Sequence, residues 1–129
     1  MTKIDAATRT PNQYPIDVRV RSHVFACDAS VEAGGADSAP GPHDLFDSAL
    51  AACKAITAMW YAKRHAIPLE RAVAHVESDA ADERAGVYRM HVRVALIGPL
   101  TAEQHAQVQT AIARCPIHKL MTTADVQID

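Results

Sequence analysis

The chain has 129 residues, of which 49% are hydrophobic, 22% charged and only 5% aromatic, and its formal net charge at pH 7 is −2. This length is typical of one domain, so we expect a single domain over residues 1–129. The balanced charge argues against a general nucleic-acid-binding surface, and no segment approaches the roughly 20 apolar residues of a membrane span. The first ten residues contain no apolar signal core, which favours a cytoplasmic location over export.

Alternating apolar and polar residues predict a strand over 16–26, with one packed face and one basic face. A second short strand is expected within 27–31, before a loop rich in Gly, Ala, Ser and Pro. A long helix is predicted from about 42 to 65. Because this helix is apolar on nearly every side, we expect it to be buried, and Pro68 ends its pattern.

The second half of the sequence predicts a hairpin, with strands over 72–79 and 87–98 joined by a turn. A second helix begins after Thr101, a good N-cap residue, with Gln104 as its capping-box partner. The chain then closes with a short helix and a strand over 125–129. The predicted order is β-β-α-β-β-α-β, which is an α+β fold.

The stretch AIARCPIHKLMT places Cys115 directly before Pro116. A proline cannot continue the upstream helix, but it suits the first position of a new one. Cys115 would then precede a helix N-terminus, where free N–H groups and the helix dipole favour a thiolate. The pattern predicts a reactive thiol, and Cys53, in the middle of the long helix, is the candidate partner. A lone helical cysteine is more often a small packed side chain, so the sequence leaves their meeting open.

Other chemistry has weaker support in the sequence. Cys27 has no helix end to activate it, so we expect it to lie outside the mechanism. Cys115 and His118 are a possible half of a zinc site that Cys53 and His43 would complete. Structural zinc sites usually show two close ligand pairs and only one is visible, so we expect no metal.

Two segments of the chain carry a family resemblance: GPHDLFDSALAACKAITAMWYAKRHAIPLE and, after a hairpin and a helix, ARCPIHKLM. Together they resemble the OsmC/Ohr family of osmotically inducible and organic hydroperoxide resistance proteins. The strand VRVRSHVFACD is most similar to the branch of OsmC-like redox proteins. The resemblance covers nearly the whole chain. It implies a single OsmC-like domain that forms an intertwined homodimer, with the long cysteine helices central and the sheets outside.

The resemblance also implies a thiol peroxidase without a resident cofactor. Cys53 matches the peroxidatic cysteine of the family and Cys115 its resolving cysteine. In the implied reaction, Cys53 reduces a small organic hydroperoxide and becomes a sulfenic acid, Cys115 converts it to a disulfide, and an external dithiol reduces that disulfide. Arg19 and Arg21, on the basic strand face, are candidates to stabilise the thiolate, with Arg21 preferred.

The proposed substrate pocket and its support are also expectations. The apolar side chains expected to receive the hydroperoxide are Phe46, Leu50, Met59 and Trp60. The sequence departs from the Ohr pattern where a glutamate orients the catalytic arginine, because His43 stands there and the neighbouring carboxylate is Asp44. We therefore weigh two alternatives to a peroxidase: a redox-sensing or small-molecule-binding protein without turnover on the same fold, and a structural or metal-bound thiol pair.

Overall fold

The computed structural model describes all 129 residues, which form two compact units, Met1–Phe46 and Asp47–Asp129. Two antiparallel sheets and three helices confirm the α+β class. No helix is both long enough and apolar enough to cross a membrane. The elements in chain order are β1 (Ile4–Thr8), β2 (Ile16–Val20), β3 (His23–Cys27), α1 (Pro42–Arg64), β4 (Arg71–Asp79), one 3-10 turn (Glu83–Ala85), β5 (Arg89–Ile97), α2 (Ala102–Ile112) and α3 (Pro116–Thr122).

The first unit contains a three-stranded antiparallel sheet in the order β1-β2-β3. The predicted strand over 16–26 is divided by a tight turn at Arg21, whose φ is +53°. Since the chain reverses there, Val20 pairs with His23 and Ile16 with Cys27. Residues paired directly across antiparallel strands lie on the same sheet face. Cys27 is therefore buried on the packed side of the sheet. The predicted assignment of residues to a packed and a basic face is correct only up to residue 20.

Two further strand predictions are corrected, and one strand has no counterpart in the sequence predictions. That strand is β1, whose five residues are all exposed and whose side chains carry little pattern; its ladder runs from Ile4 opposite Val20 to Thr8 opposite Ile16. The strand expected within 27–31 is a loop instead. Residues 125–129 form no strand, since they have no partner strand to supply backbone hydrogen bonds.

Asp28 organises the loop that follows β3. Its side chain accepts hydrogen bonds from the Ser38 hydroxyl at 2.6 Å, the Ser38 backbone N–H at 3.0 Å and the Ala29 N–H at 2.7 Å. These donors, the Ser38 hydroxyl first among them, lower the pKa of Asp28 to about 2. The carboxylate thus accepts hydrogen bonds from backbone N–H groups that would pair with a neighbouring strand if this segment lay in a sheet.

In the second unit, α1 buries one stripe of residues spaced by four, namely Leu50, Lys54, Ala58 and Ala62. On the opposite side of the helix, Ile56 is 69% and Trp60 55% exposed. The helix is therefore half-buried in the single chain rather than covered on nearly every side. Its stripe joins the hydrophobic cluster of this unit, which consists of Ala58, Ala62, Ile67, Leu69, Val108 and Ile112.

Hydrogen bonds attach α1 to the hairpin. The Asp47 carboxylate accepts from the Ser78 hydroxyl at 2.7 Å and from the Tyr88 hydroxyl at 2.8 Å. The helix ends as predicted before Pro68, with Ala66 in a left-handed conformation (φ +51°) and the Ile67 N–H bonded to the Ala62 carbonyl. These hydrogen bonds hold α1 against the hairpin at Asp47, the first residue of α1 in this unit, and the left-handed residue fixes the end of the helix.

The predicted hairpin, capping box and Cys-Pro junction are all confirmed. β4 and β5 pair from Arg71 opposite Ile97 to Asp79 opposite Arg89. The Thr101 hydroxyl accepts from the Gln104 N–H, and the Gln104 side chain accepts from the Thr101 N–H. Pro116 opens α3, which makes Cys115 its N-cap residue.

Gly98, with φ +150°, follows β5 where the chain passes close to the Pro68 carbonyl oxygen. Gly98→Ala would place a methyl group against that oxygen in a strained backbone, and we expect a loss of about 2 kcal/mol or more in the free energy of unfolding. Gly86 is the matched control, because its φ is +86° and nothing lies within 4 Å of an added Cβ. Gly86→Ala should cost only about 1 kcal/mol in urea denaturation. Equal losses would contradict the steric argument.

The lowered pKa of Asp28 predicts a pH dependence of stability. A carboxylate whose folded-state pKa lies below its unfolded value stabilises the fold fully above the unfolded value, near 4, and loses that contribution as the pH falls towards about 2. Asp28→Asn should be less stable than the wild type at pH 7 but should lose less stability between pH 4 and 2. Parallel curves for the two proteins in thermal melts across this range would contradict the prediction.

Candidate active site

Cys53 lies half-buried in the middle of α1 and lines a cleft of about 650 Å³. Its sulfur is 3.9 Å from the Thr57 hydroxyl, one turn further along the helix. The cleft also has one exposed cationic group, Arg114. A thiol at this position can meet a small molecule that enters the cleft. The apolar wall consists of Ile56, Trp60, Tyr61, Ala111 and Pro116.

Cys115 is fully buried at the N-cap of α3, close enough to Cys53 for the two thiols to influence each other's ionisation. The His118 backbone N–H donates to its sulfur over 3.4 Å. Burial raises the pKa of the Cys115 thiol, and the hydrogen bond with Cys53 raises it further, while the His118 N–H and the Lys54 charge act in the opposite direction. The structure thus places close together two thiols whose proximity the sequence could not establish.

Lys54 is a buried cation beside this pair, only 4% exposed. Its ammonium nitrogen donates to the Ile112 carbonyl oxygen at 2.9 Å and lies 2.9 Å from Nδ1 of His118. Because an ammonium group has only donors, Nδ1 must accept, which leaves the proton of a neutral His118 on Nε2. Lys54 therefore holds the ends of α2 and α3 next to the thiols.

Lys54 is a site residue absent from the sequence predictions, although the sequence contains a signal for it. It is the one charged residue in the run ALAACKAITA and lies on the stripe that α1 buries. A charged side chain is rarely fully buried unless it is paired, so a lysine inside an apolar helix indicates a built partner set. The prediction that this helix is apolar on nearly every side did not take the charge of Lys54 into account.

The zinc site considered from the sequence has no matching set of ligands in the structure. No group of three or more His, Cys, Asp or Glu side chains is arranged to hold a metal ion. His118, the residue expected beside Cys115 in such a site, directs Nδ1 at the Lys54 ammonium. A cation already occupies the direction from which a metal would approach that nitrogen.

The two predicted arginines belong to the first unit. Arg19 lies on β2 with its side chain exposed, and Arg21 occupies the turn after that strand rather than its basic face. Both line a shallow depression of about 380 Å³ together with Lys3 and Asp5. Their action on the Cys53 thiolate stays a prediction.

His43 and Asp44 lie in the first turn of α1. The Asp44 carboxylate accepts the Gly41 backbone N–H at 2.8 Å and so satisfies a group that the helix start would leave unpaired. This bond gives Asp44 a structural role at the helix N-terminus. Support for an arginine by either residue stays a prediction.

The four apolar side chains expected around the substrate occupy different places. Trp60 lines the cleft, and the Arg64 guanidinium lies 5.0 Å from its ring centroid. Leu50 is buried, and Met59 packs against the hydrophobic cluster, so neither lines this cleft. Phe46, in the first unit, is 46% exposed. Trp60 is thus the member of the set that lies on the same cleft as Cys53.

Solved structures with this fold include proteins from three bacteria. The OsmC-like protein of Mycoplasma pneumoniae is 17% identical with a TM-score of 0.74, the match covering 96% of this chain and 89% of the other. The organic hydroperoxide resistance protein OsmC of Legionella pneumophila is 22% identical with a TM-score of 0.64, covering 95% and 90%. For the organic hydroperoxide resistance protein OhrB of Bacillus subtilis the values are 20%, 0.63, 95% and 91%.

At these identities the likenesses show the fold. A comparison with curated proteins gave no match. The family model for OsmC-like proteins matches residues 34–129, which include all of α1, the hairpin and the Cys-Pro junction. The resemblance inferred from the two cysteine segments is thereby confirmed, and the chain belongs to the OsmC family.

Proposed function

We propose that this protein is a thiol-dependent peroxidase that reduces organic hydroperoxides through Cys53 and Cys115. One observation carries the proposal: two free thiols lie close to each other, and one of them lines an apolar cleft large enough for a small organic molecule. Two-cysteine peroxide reduction requires a thiol that the substrate can reach and a second thiol within bonding distance of the first.

The exposure of the two thiols assigns their roles in this proposal. Cys53 is half-buried and lines the cleft, so it is the thiol that meets the peroxide. Cys115 is fully buried and its pKa is raised by burial, so it remains a protonated thiol at neutral pH and does not compete for substrate. It becomes reactive only towards its neighbour.

The proposed reaction consists of peroxide reduction at Cys53, disulfide formation with Cys115 and reduction of that disulfide. The Cys53 thiolate attacks the terminal peroxide oxygen, the O–O bond breaks, and the departing alkoxide takes a proton to become an alcohol. Cys53 is left as a sulfenic acid. Cys115 then attacks that sulfur, the S–O bond breaks and water leaves, which gives a Cys53–Cys115 disulfide. An external dithiol reduces the disulfide by two exchange steps and restores both thiols.

Several features support this assignment. Two neighbours in fold, from Legionella pneumophila and Bacillus subtilis, are named organic hydroperoxide resistance proteins. All three cysteines are free, which fits a cytoplasmic location, where thiols are kept reduced. A homodimer is part of the proposal, because Ile56 and Trp60, which also line the cleft, are exposed in the single chain. In the proposed dimer the second copy would border the cleft as a further wall and leave its mouth open to substrate.

The size and apolar wall of the cleft favour a second candidate, a protein that binds a small apolar molecule or senses oxidants without turnover. The two candidates differ in one measurable property. A peroxidase loses both thiols rapidly and stoichiometrically with peroxide, whereas a binding protein oxidises slowly and holds an apolar ligand tightly.

The unequal burial of the cysteines predicts their order of alkylation. In the folded, reduced protein, iodoacetamide should modify Cys53 at least tenfold faster than Cys115 or Cys27, which are 0% and 4% exposed. Peptide mass spectrometry over a time course measures the three rates separately, and alkylation in denaturant is the control for intrinsic reactivity. Similar rates for Cys53 and Cys115 in the native protein would contradict the assigned roles.

One equivalent of cumene hydroperoxide tests the proposed reaction. Fully reduced protein should form a Cys53–Cys115 disulfide within seconds, and Cys115→Ser should accumulate a sulfenic acid at Cys53 that a dimedone-type reagent traps. Cys53→Ser should retain its other thiols, and Cys27→Ser should behave like the wild type. Thiols that stay reduced for hours in the wild type would refute the peroxidase and favour the binding protein.

A further inference from the structure

The resolving step in the proposed reaction has an energetic difficulty. Cys115 must act as a thiolate when it attacks the Cys53 sulfur, yet it is fully buried, and a buried anion is disfavoured unless a positive charge or hydrogen-bond donors surround it. The His118 backbone N–H, at 3.4 Å, is one such donor. A single hydrogen bond from a neutral donor is a small contribution against the burial of a full charge.

A buried positive charge, that of Lys54, lies beside this thiol. The residue is 4% exposed, and its ammonium group is held by two acceptors, the Ile112 carbonyl oxygen and His118 Nδ1, each at 2.9 Å. His118 is also the residue whose backbone N–H donates to the Cys115 sulfur. His118 thus contacts the cation through its ring and the thiol through its backbone N–H. Because Lys54 and Cys115 are both buried, water does not screen their interaction as it would at the surface.

We propose that Lys54 is a positioning residue for the resolving step: its buried ammonium, fixed by Ile112 and His118, stabilises the Cys115 thiolate as that thiolate attacks Cys53. The inference rests on the proposed function for the step it serves, but not for the electrostatic relation between Lys54 and Cys115. In this step the S–S bond forms, the S–O bond of the Cys53 sulfenic acid breaks, and the hydroxide leaves as water with the proton that Cys115 lost.

Packing alone does not require a lysine at position 54. Ala58 and Ala62 continue the same buried stripe of α1 with small apolar side chains, and the unit could bury an apolar residue at position 54 at less cost. A lysine there needs two acceptors taken from two other helices. The hydrogen bonds to Ile112 and His118 alone could be made by a neutral donor, so the charge is the property to test.

The first experiment does not depend on peroxide chemistry. In Cys53→Ser protein labelled with ¹³C at the cysteine β-carbon, the chemical shift of Cys115 is followed against pH. Lys54→Met, and Lys54→Gln as a neutral variant that retains a donor, should both move the Cys115 titration to higher pH. Lys63→Met, which removes an exposed lysine from the last turn of the same helix, should not move it. A titration unchanged in either folded Lys54 variant would overturn the proposal.

The second experiment separates the two chemical steps. With both cysteines present, stopped-flow measurements after one equivalent of cumene hydroperoxide resolve sulfenic acid formation from disulfide formation. Lys54→Met and Lys54→Gln should slow disulfide formation about tenfold at pH 7, and raising the pH should recover the rate, whereas Lys63→Met should leave both steps unchanged. Slowing that is independent of pH would indicate a merely structural role and overturn the proposal.

The two experiments fail in distinguishable ways. If the wild type does not react with peroxide, the proposed function is refuted, while the Cys115 titration still decides whether Lys54 stabilises the thiolate. If the wild type forms the disulfide and the Lys54 variants form it at the same rate, the peroxidase stands and the role of Lys54 is refuted.

Discussion

A buried ammonium group must find hydrogen-bond acceptors inside the protein, and Lys54 imposes this requirement on three helices together. It lies next to Cys53 on α1, and its partners are the last carbonyl of α2 and the His118 side chain on α3. An unpaired buried charge costs several kcal/mol, so the three helices must meet here. The junction between α2 and α3 is where Cys115 lies, and the closeness of the two thiols therefore depends on the same constraint.

Signals confined to a few residues were sufficient for part of this structure. Thr101 and Gln104 satisfy each other's backbone groups within one turn, and Pro116 fixes a helix start through its own ring. Such features depend on chemistry that acts over three or four residues, so the sequence predicts them directly. The hairpin of β4 and β5 belongs to the same class, since β5 alternates regularly and the two strands lie close together in the chain.

Features that depend on distant residues could not be predicted in this way. Arg21 continues the alternation of its strand, yet it lies in a turn, because the ladder between β2 and β3 decides where the chain reverses. β1 carries almost no pattern and exists through its backbone bonds to β2. The partners of Lys54 are about sixty residues away in the chain, so the sequence shows an isolated charge in an apolar helix but not what it binds.

The complete burial of Cys115 has a consequence for the way a disulfide in this site would be reopened. A reducing thiolate must approach one sulfur along the S–S axis, and only the Cys53 sulfur borders the cleft. In the proposed cycle the reductant therefore becomes attached to Cys53, and Cys115 is the leaving group. Departure is faster when the leaving sulfur is more stable as an anion. The helix junction around Cys115 would thus set the rate of regeneration, and the cleft would select which reductants can enter.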